Sequence, residues 1–370
     1  MGKLKLPFKL PEIKIPPLKF ATAKKEKLVV GLDIGSHAIK VCQLTPADDG
    51  RHRLICLGSA LLPEGAVEDG MLQMPEEVAR IISALFKDLK IKGKKVAISI
   101  SGYSVIVKKI NLAVMSDTEL EAHIQSEAEQ YIPFDIDDVY LDYQDLKTNS
   151  EEEDRTDVML VAAKKEVVDG YLDMLRSAGL KPVIVDVDAF ALENAFEANF
   201  SLEENTALVD IGASKMNINI ISHGMSILAR DVVLGSRQLT EQIQNRFDIS
   251  FDEAEEIKLG RSEAQDRQEA LEEIFTNTCT QWIMEIKRAL DFYYSNYPDE
   301  TIAKMVLSGG GARIKGIDQF FADETGIPVE IFNPFAKMQT DDDKIDPDYL
   351  RHMAPEMALS TGLATRPAPL

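Results

Sequence analysis

Leu28–Leu44 reads LVVGLDIGSHAIKVCQL, two apolar runs that frame Asp33-Ile34-Gly35-Ser36. The β-rich residues from Leu28 to Leu32 and from Ala38 to Leu44 predict a hairpin with Asp33 at its tip and Gly35 permitting the bend. Backbone N–H groups around Gly35 and Ser36 suit phosphate oxygens. Asp33 would repel a bare phosphate unless a divalent cation, reached directly or through water, lies between them. Taken alone, the stretch also fits an ordinary turn in a sheet.

The pattern returns at Ala207–Ile220, ALVDIGASKMNINI, where Asp210-Ile211-Gly212-Ala213-Ser214 again separates two strands. A third piece, Met305–Phe321, reads MVLSGGGARIKGIDQFF: a strand runs into Gly309, Gly310 and Gly311 and then into a helix start. Glycines in that position let the backbone approach a flat ligand closely. Two Asp-x-Gly hairpins imply two halves facing one ligand. With this ordered set the chain resembles the actin, Hsp70 and sugar-kinase (ASKHA) superfamily of ATP-binding proteins. The resemblance implies an α/β, actin-like, two-lobed fold with two duplicated β-sheet/helix cores and small inserted subdomains. It also implies ATP and Mg²⁺ between the lobes. Asp33 and Asp210 would hold the Mg²⁺, largely through water; Gly35, Ser36, Gly212 and Ser214 would line the phosphates; and Gly309, Gly310 and Gly311 would lie against adenosine.

Composition agrees with a large globular chain. The 370 residues are 45% hydrophobic, enough for two cores of ordinary size. No apolar run approaches the length of a membrane span, and the N-terminus lacks the continuous apolar block of a signal peptide, so a cytoplasmic protein is expected. Cys42, Cys56 and Cys279 are scattered, which suggests buried thiols and not a disulfide framework or a thiolate metal site. A net charge of −21 argues against general nucleic-acid binding, which needs a basic footprint.

Taken in order, residues 1–27 form a basic, Pro-rich tail in which Pro7, Pro11, Pro16 and Pro17 forbid a long helix. Such a segment suits an anionic membrane surface, a partner's groove, or solvent. A first lobe is expected over 28–185, with a ββαββα-like insert at about 102–178 that contains a Ser116/Glu119 capping box and a helix from Lys165 stopping at Gly179. A second lobe follows over 186–350, with its own insert at about 235–300, and residues 351–370 supply a helix returning to the first lobe. Asp188 reads as an N-cap. Under the superfamily resemblance, Asp186 or Asp188 is instead placed to orient water near the γ-phosphate. Glu255 and Lys258 lie one helical turn apart, as a surface ion pair would; the resemblance gives them ribose hydroxyls and adenine. Trp282 reads as packing.

Between the hairpins the resemblance narrows. Glu127-Ala-Glu-Gln-Tyr-Ile-Pro-Phe134, Val139-Tyr-Leu-Asp-Tyr-Gln144, Val161-Ala-Ala-Lys-Lys165, and Ala178-Gly-Leu-Lys-Pro182 running into Asp188-Ala-Phe-Ala-Leu-Glu-Asn-Ala195 are similar to the PilM family of type IV pilus assembly proteins, relatives of FtsA. That resemblance implies a cytoplasmic ATP-binding scaffold, peripheral to the inner membrane, that docks the N-terminal segment of PilN. The groove would be lined by Tyr103 to Met115 and by Ile132-Pro133-Phe134. Through PilN the scaffold would reach PilO and PilP, with the motor ATPases and platform protein nearby. An ATPase or phosphotransferase of the same superfamily and an FtsA-like polymer remain as alternatives. For catalysis Asp188 is the candidate.

Overall fold

In the computed structural model, residues 28–147, 154–201 and 203–367 are described. The expectations placed on the basic tail and on most of the acidic loop after Lys147 therefore lie outside the described residues. The first half opens with an antiparallel meander, β1 (Val30–Ile34), β2 (Ala38–Pro46) and β3 (His52–Leu61). A two-residue hairpin follows, β4 (Val67–Glu68) with β5 (Met71–Leu72), then α1 (Pro75–Asp88) and β6 (Lys95–Ile100). An inserted unit comes next: β7 (Val105–Ala113), α2 (Asp117–Glu127), β8 (Val139–Asp145) and β9 (Arg155–Lys164). The chain returns through α3 (Lys165–Ser177) and β10 (Lys181–Val187), and α4 (Asp188–Glu197) crosses to the second half.

There the layout repeats with β11 (Thr206–Ile211), β12 (Met216–Ser222) and β13 (Met225–Val232), followed by α5 (Ser236–Phe247), α6 (Phe251–Lys258) and α7 (Gln268–Asn296). β14 (Lys304–Ser308), α8 (Ile317–Thr325) and β15 (Val329–Ile331) complete it, and α9 (Pro347–Met353) and α10 (Ala358–Ala364) close the described chain. The two five-stranded sheets have the same order, β10-β6-β1-β2-β3 and β15-β14-β11-β12-β13, each an antiparallel meander extended by two parallel strands. This is the duplicated, actin-like α/β architecture expected from the paired hairpins.

Every residue of β11 and β12 is buried, because helices or the other half cover both faces of the sheet. The second core gathers on α7, whose Trp282 is fully buried, as its helical spacing required. The first gathers on α1 and α3. A third apolar cluster joins the halves through Ala191, Leu192, Ala195 and Phe196 of α4 and Leu359 and Leu363 of α10.

Three elements differ from the sequence reading. The insert is a βαββ unit with its own sheet, β7-β9-β8, since β6 stays in the main sheet and α3 turns Val167, Val168, Tyr171, Met174 and Leu175 into the first core. After the glycines the chain makes one 3₁₀ turn, Gly310–Arg313, and α8 starts only beyond Gly316. The C-terminal helix is split, with a 3₁₀ turn at Ala354–Met357 around Pro355, whose ring prevents regular helical bonding. The Ser116/Glu119 capping box is present at the start of α2.

Candidate functional site

The two hairpins face each other across a cleft. In β1 and β2 the register sets Asp33 opposite Lys40, and in β11 and β12 it sets Asp210 opposite Asn217. Neither acid is at its hairpin's tip; both sit inside the strand, nearly buried, with the turn beyond them. The tips are Gly35-Ser36 and Gly212-Ala213-Ser214, and Ser36 Oγ lies 2.8 Å from Ser214 Oγ, so the two turns touch across the cleft.

Two adjoining chambers, about 990 and 1350 Å³ including their open mouths, fill the space between the halves. They share Asp33, Lys40, Asp210 and Gly212. The smaller continues past Ser36 and Ser214 to Lys215 and Asp188. The larger opens toward Glu255, Lys258, Gly309, Gly310 and Arg313. Nucleotide-sized ligands occupy spaces of this order.

The structure thus brings Asp33, Gly35, Ser36, Asp210, Gly212, Ser214, Glu255, Lys258, Gly309, Gly310 and Asp188 to one cleft. Gly311 is not on its wall, because a Cβ there would meet the Ile211 side chain at 2.3 Å; it packs against β11. Gly309 is on the wall and has φ +81°, with Ile211 O only 2.5 Å from where its Cβ would be, so a side chain is excluded on both counts. Asp186 is also absent from the cleft. Its side chain is only 8% exposed, with Arg366 Nε 3.7 Å away.

Asp188 is not the N-cap the sequence suggested. Val187, still extended, occupies that place without a side-chain cap, and Asp188 is the first helical residue. Its carboxylate takes a hydrogen bond from Lys215 Nζ at 2.8 Å and another from Ser101 Oγ. An ion pair outcompeted the cap. Burial opposes its ionisation, but Lys215 and Ser101 more than offset this and hold its pKa below the usual carboxylate range. Asp33 is raised by burial in spite of Lys40, whose Nζ is 3.0 Å from Oδ2. Burial pushes Asp210 up to about 6, and the hydroxyl of Ser308, donating at 2.7 Å, counters this only in part.

At the other end, Glu255 and Lys258 form an ion pair on one face of α6, and Thr240 joins both. Its Glu member is half-buried and its Lys member buried, so it is not the exposed surface pair that helical spacing alone allows. Sequence reasoning missed Lys40, Lys215, Ser101, Ser308 and Arg313. Lys40 was within reach, because counting back from the turn sets it opposite Asp33; the others are brought in by elements distant in sequence. Among the described residues no group of three or more His, Cys, Asp or Glu side chains is set to hold a metal ion. None of the described helices is long and apolar enough to cross a membrane.

The family model for type IV pilus assembly protein PilM matches residues 31–368. The chain belongs to the PilM family. A chain of the solved "PilM-PilN type IV pilus biogenesis complex" is 28% identical, with 93% of this chain and 100% of that one covered and a TM-score of 0.81. The ethanolamine utilization protein EutJ from Carboxydothermus hydrogenoformans superposes over 91% of this chain and 88% of its own, with a TM-score of 0.55 at 15% identity, a likeness of fold alone. Among PilM proteins, then, this chain has the two-sheet actin-like frame, with a deep cleft where its hairpins meet.

Proposed function

We propose that this PilM-family chain is an ATP-binding scaffold of type IV pilus assembly that captures the N-terminal cytoplasmic segment of PilN and whose cleft gates that capture. The observation that carries the nucleotide part is the convergence of two Asp-x-Gly hairpins, the Gly309-Gly310 approach and the Glu255–Lys258 pair on a single cleft. The donor set fits the ligand. Gly309 leaves the backbone bare where a flat base would lie, the turns closed by Gly35 N–H to Ala38 O and Gly212 N–H to Lys215 O present the Ser36 and Ser214 hydroxyls to phosphates, and Glu255 with Lys258 suits ribose hydroxyls and base. Asp33 and Asp210 would hold Mg²⁺ largely through water, two carboxylates leaving most of its oxygen ligands to water and phosphate. Mg-ATP, when bound, would supply a compact polyanion for these groups of both lobes to hold.

A scaffold is favoured over a phosphotransferase by the state of Asp188. A general base needs a carboxylate free to take a proton. The carboxylate of Asp188 is tied to Lys215 and Ser101 and held low. Turnover, if present, is expected to be slow.

The partner assignment rests on family membership and on the complex solved for the relative. In this chain the segment would lie between the first core and the βαββ unit; Val114, and Tyr103 on the wall of the smaller chamber, expose apolar surface. The link between cleft and groove is the Ser101-Gly102 turn, which holds Asp188 on one side, receives Asp231 of β13 on the other (Gly102 N–H to Oδ2, 2.5 Å), and leads directly into β7. PilO and PilP beyond PilN, the motor ATPases, and a cytoplasmic position at the inner membrane belong to the same proposal.

The test is titration with a synthetic peptide of the PilN N-terminal segment, at fixed salt, with and without Mg-ATP. Gating predicts an affinity difference of about fivefold or more between the two states. Equal affinities would leave a partner-binding scaffold without gating. No binding in either state would remove the partner.

A further inference from the structure

Two lysines reach the phosphate end of the cleft, and they are held differently. Lys40 is paired to Asp33, its own cross-strand neighbour, within one hairpin. Lys215, directly after Ser214 in the opposite turn, reaches away from its hairpin to Asp188 at the start of α4. Its side chain is 32% exposed, against 17% for Lys40. An ammonium carries three donors. Among the described residues Lys215 gives one hydrogen bond, to Asp188, and lines the smaller chamber beside Ser36 and Ser214. Two donors are therefore left for something in the cleft.

Position along the cleft narrows what that something is. The larger chamber contains Glu255, Lys258 and Gly309; both chambers are lined by Asp33 and Asp210; Lys215 and Asp188 line the smaller chamber and not the larger. With a nucleoside against Gly309 and its phosphates crossing the two acids, the distal end of the chain points at Lys215. We propose that Lys215, keeping its ion pair with Asp188, reads the terminal phosphate of a bound nucleoside triphosphate with its two remaining donors, and so sets the preference of this cleft for a triphosphate over a diphosphate. This rests on the nucleotide reading above.

Sharing Lys215 in this way strands no charge. Asp188 keeps both Lys215 and the Ser101 hydroxyl, and as the first residue of α4 its carboxylate lies at the positive end of a helix dipole. The ammonium stands between two anions, the carboxylate and the phosphate, with a donor for each.

The experiment is equilibrium titration of the full chain with Mg-ATP and with Mg-ADP, for wild type, Lys215→Met, Lys215→Arg and Asp188→Asn, with thermal melts of each free protein as a folding control. The expected result for Lys215→Met is a loss of roughly tenfold or more for Mg-ATP, the scale of one charge-assisted hydrogen bond, with Mg-ADP affinity within about twofold of wild type. Lys215→Arg should retain most of the preference. Asp188→Asn, which removes the carboxylate that competes for Lys215, should sharpen it. A Lys215→Met protein that melts like wild type yet keeps the wild-type ratio overturns the inference and leaves the nucleotide reading standing. Parallel losses for both nucleotides overturn it too, since they mark a structural tether. Wild type that binds neither nucleotide overturns the cleft assignment itself, and this inference with it.

Discussion

Replacing Asp210 by Asn is expected to make the protein more stable at neutral pH and, in the same variant, to remove most of its affinity for Mg-ATP. The two effects have one cause. Burial raises the Asp210 carboxyl to about 6 in the folded chain, from an ordinary value of 3.8. Between about pH 4 and pH 6 the unfolded chain has already ionised this group while the folded chain still holds the proton, so fewer protons are bound in the unfolded state and stability falls as pH rises. The stability is fully present below the unfolded value and lost as pH rises through the folded one; by pH 7 the cost of keeping the carboxylate is on the order of 2–3 kcal/mol. Asn avoids that cost and can still accept from Ser308 Oγ through its amide oxygen. It cannot supply the negative charge that a hydrated Mg²⁺ requires, and a loss of tenfold or more is expected. Urea unfolding at a series of pH values should show the variant's advantage at pH 7 and its disappearance near pH 4. A variant equally destabilised at every pH would mean that Asp210 is a structural carboxylate and not a group kept charged, at a cost, for a ligand.

The residues that carry such behaviour were legible in uneven measure. Asp33 and Asp210 announced themselves because each ends an apolar strand before a glycine, and the repetition implied two similar sheets. Glu255 and Lys258 were legible because helix spacing is local. Lys40 was missed although its register follows from the turn. Lys215 and Asp188 are joined only by the meeting of a hairpin turn with a helix start, and nothing local in either stretch points to the other. Asp188 reads as a cap because capping is the commonest use of an acid at that place; an ammonium 2.8 Å away is the stronger competitor. The sequence reading makes the βαββ unit too large for a similar reason. α3 follows β9 without a break, and only its apolar face, turned to α1, assigns it to the first core.

Gly362→Ala is expected to cost about 3 kcal/mol or more, beyond the usual penalty for an extra methyl group in a packed core. All seven residues of α10 are buried, and the helix is wedged between β1 and α4. A Cβ on Gly362 would lie 1.7 Å from the carbonyl oxygen of Ala191 and 3.0 Å from the nitrogen of Ala195, both main-chain atoms of α4. Backbone cannot step aside as a side chain can, so α10 and α4 would have to separate and open the apolar cluster that joins the halves. Gly31 tells the same story from the opposite side, since its Cβ would fall 1.9 Å from Ser360 O. Gly170, in the middle of α3 with nothing within 4 Å of a Cβ, supplies the contrast. There Ala should stabilise by roughly 0.5–1 kcal/mol, the ordinary helix preference over glycine. Denaturant midpoints for the two variants should therefore move in opposite directions, and a Gly362→Ala protein within about 1 kcal/mol of wild type would show that the two helices do not need this contact. The consequence reaches the cleft, because β1 carries Asp33 and α4 begins with Asp188. The thickness of α10 at its glycine sets how far apart those two carboxylates are held, so a folded Gly362→Ala protein should also bind Mg-ATP more weakly than Gly170→Ala.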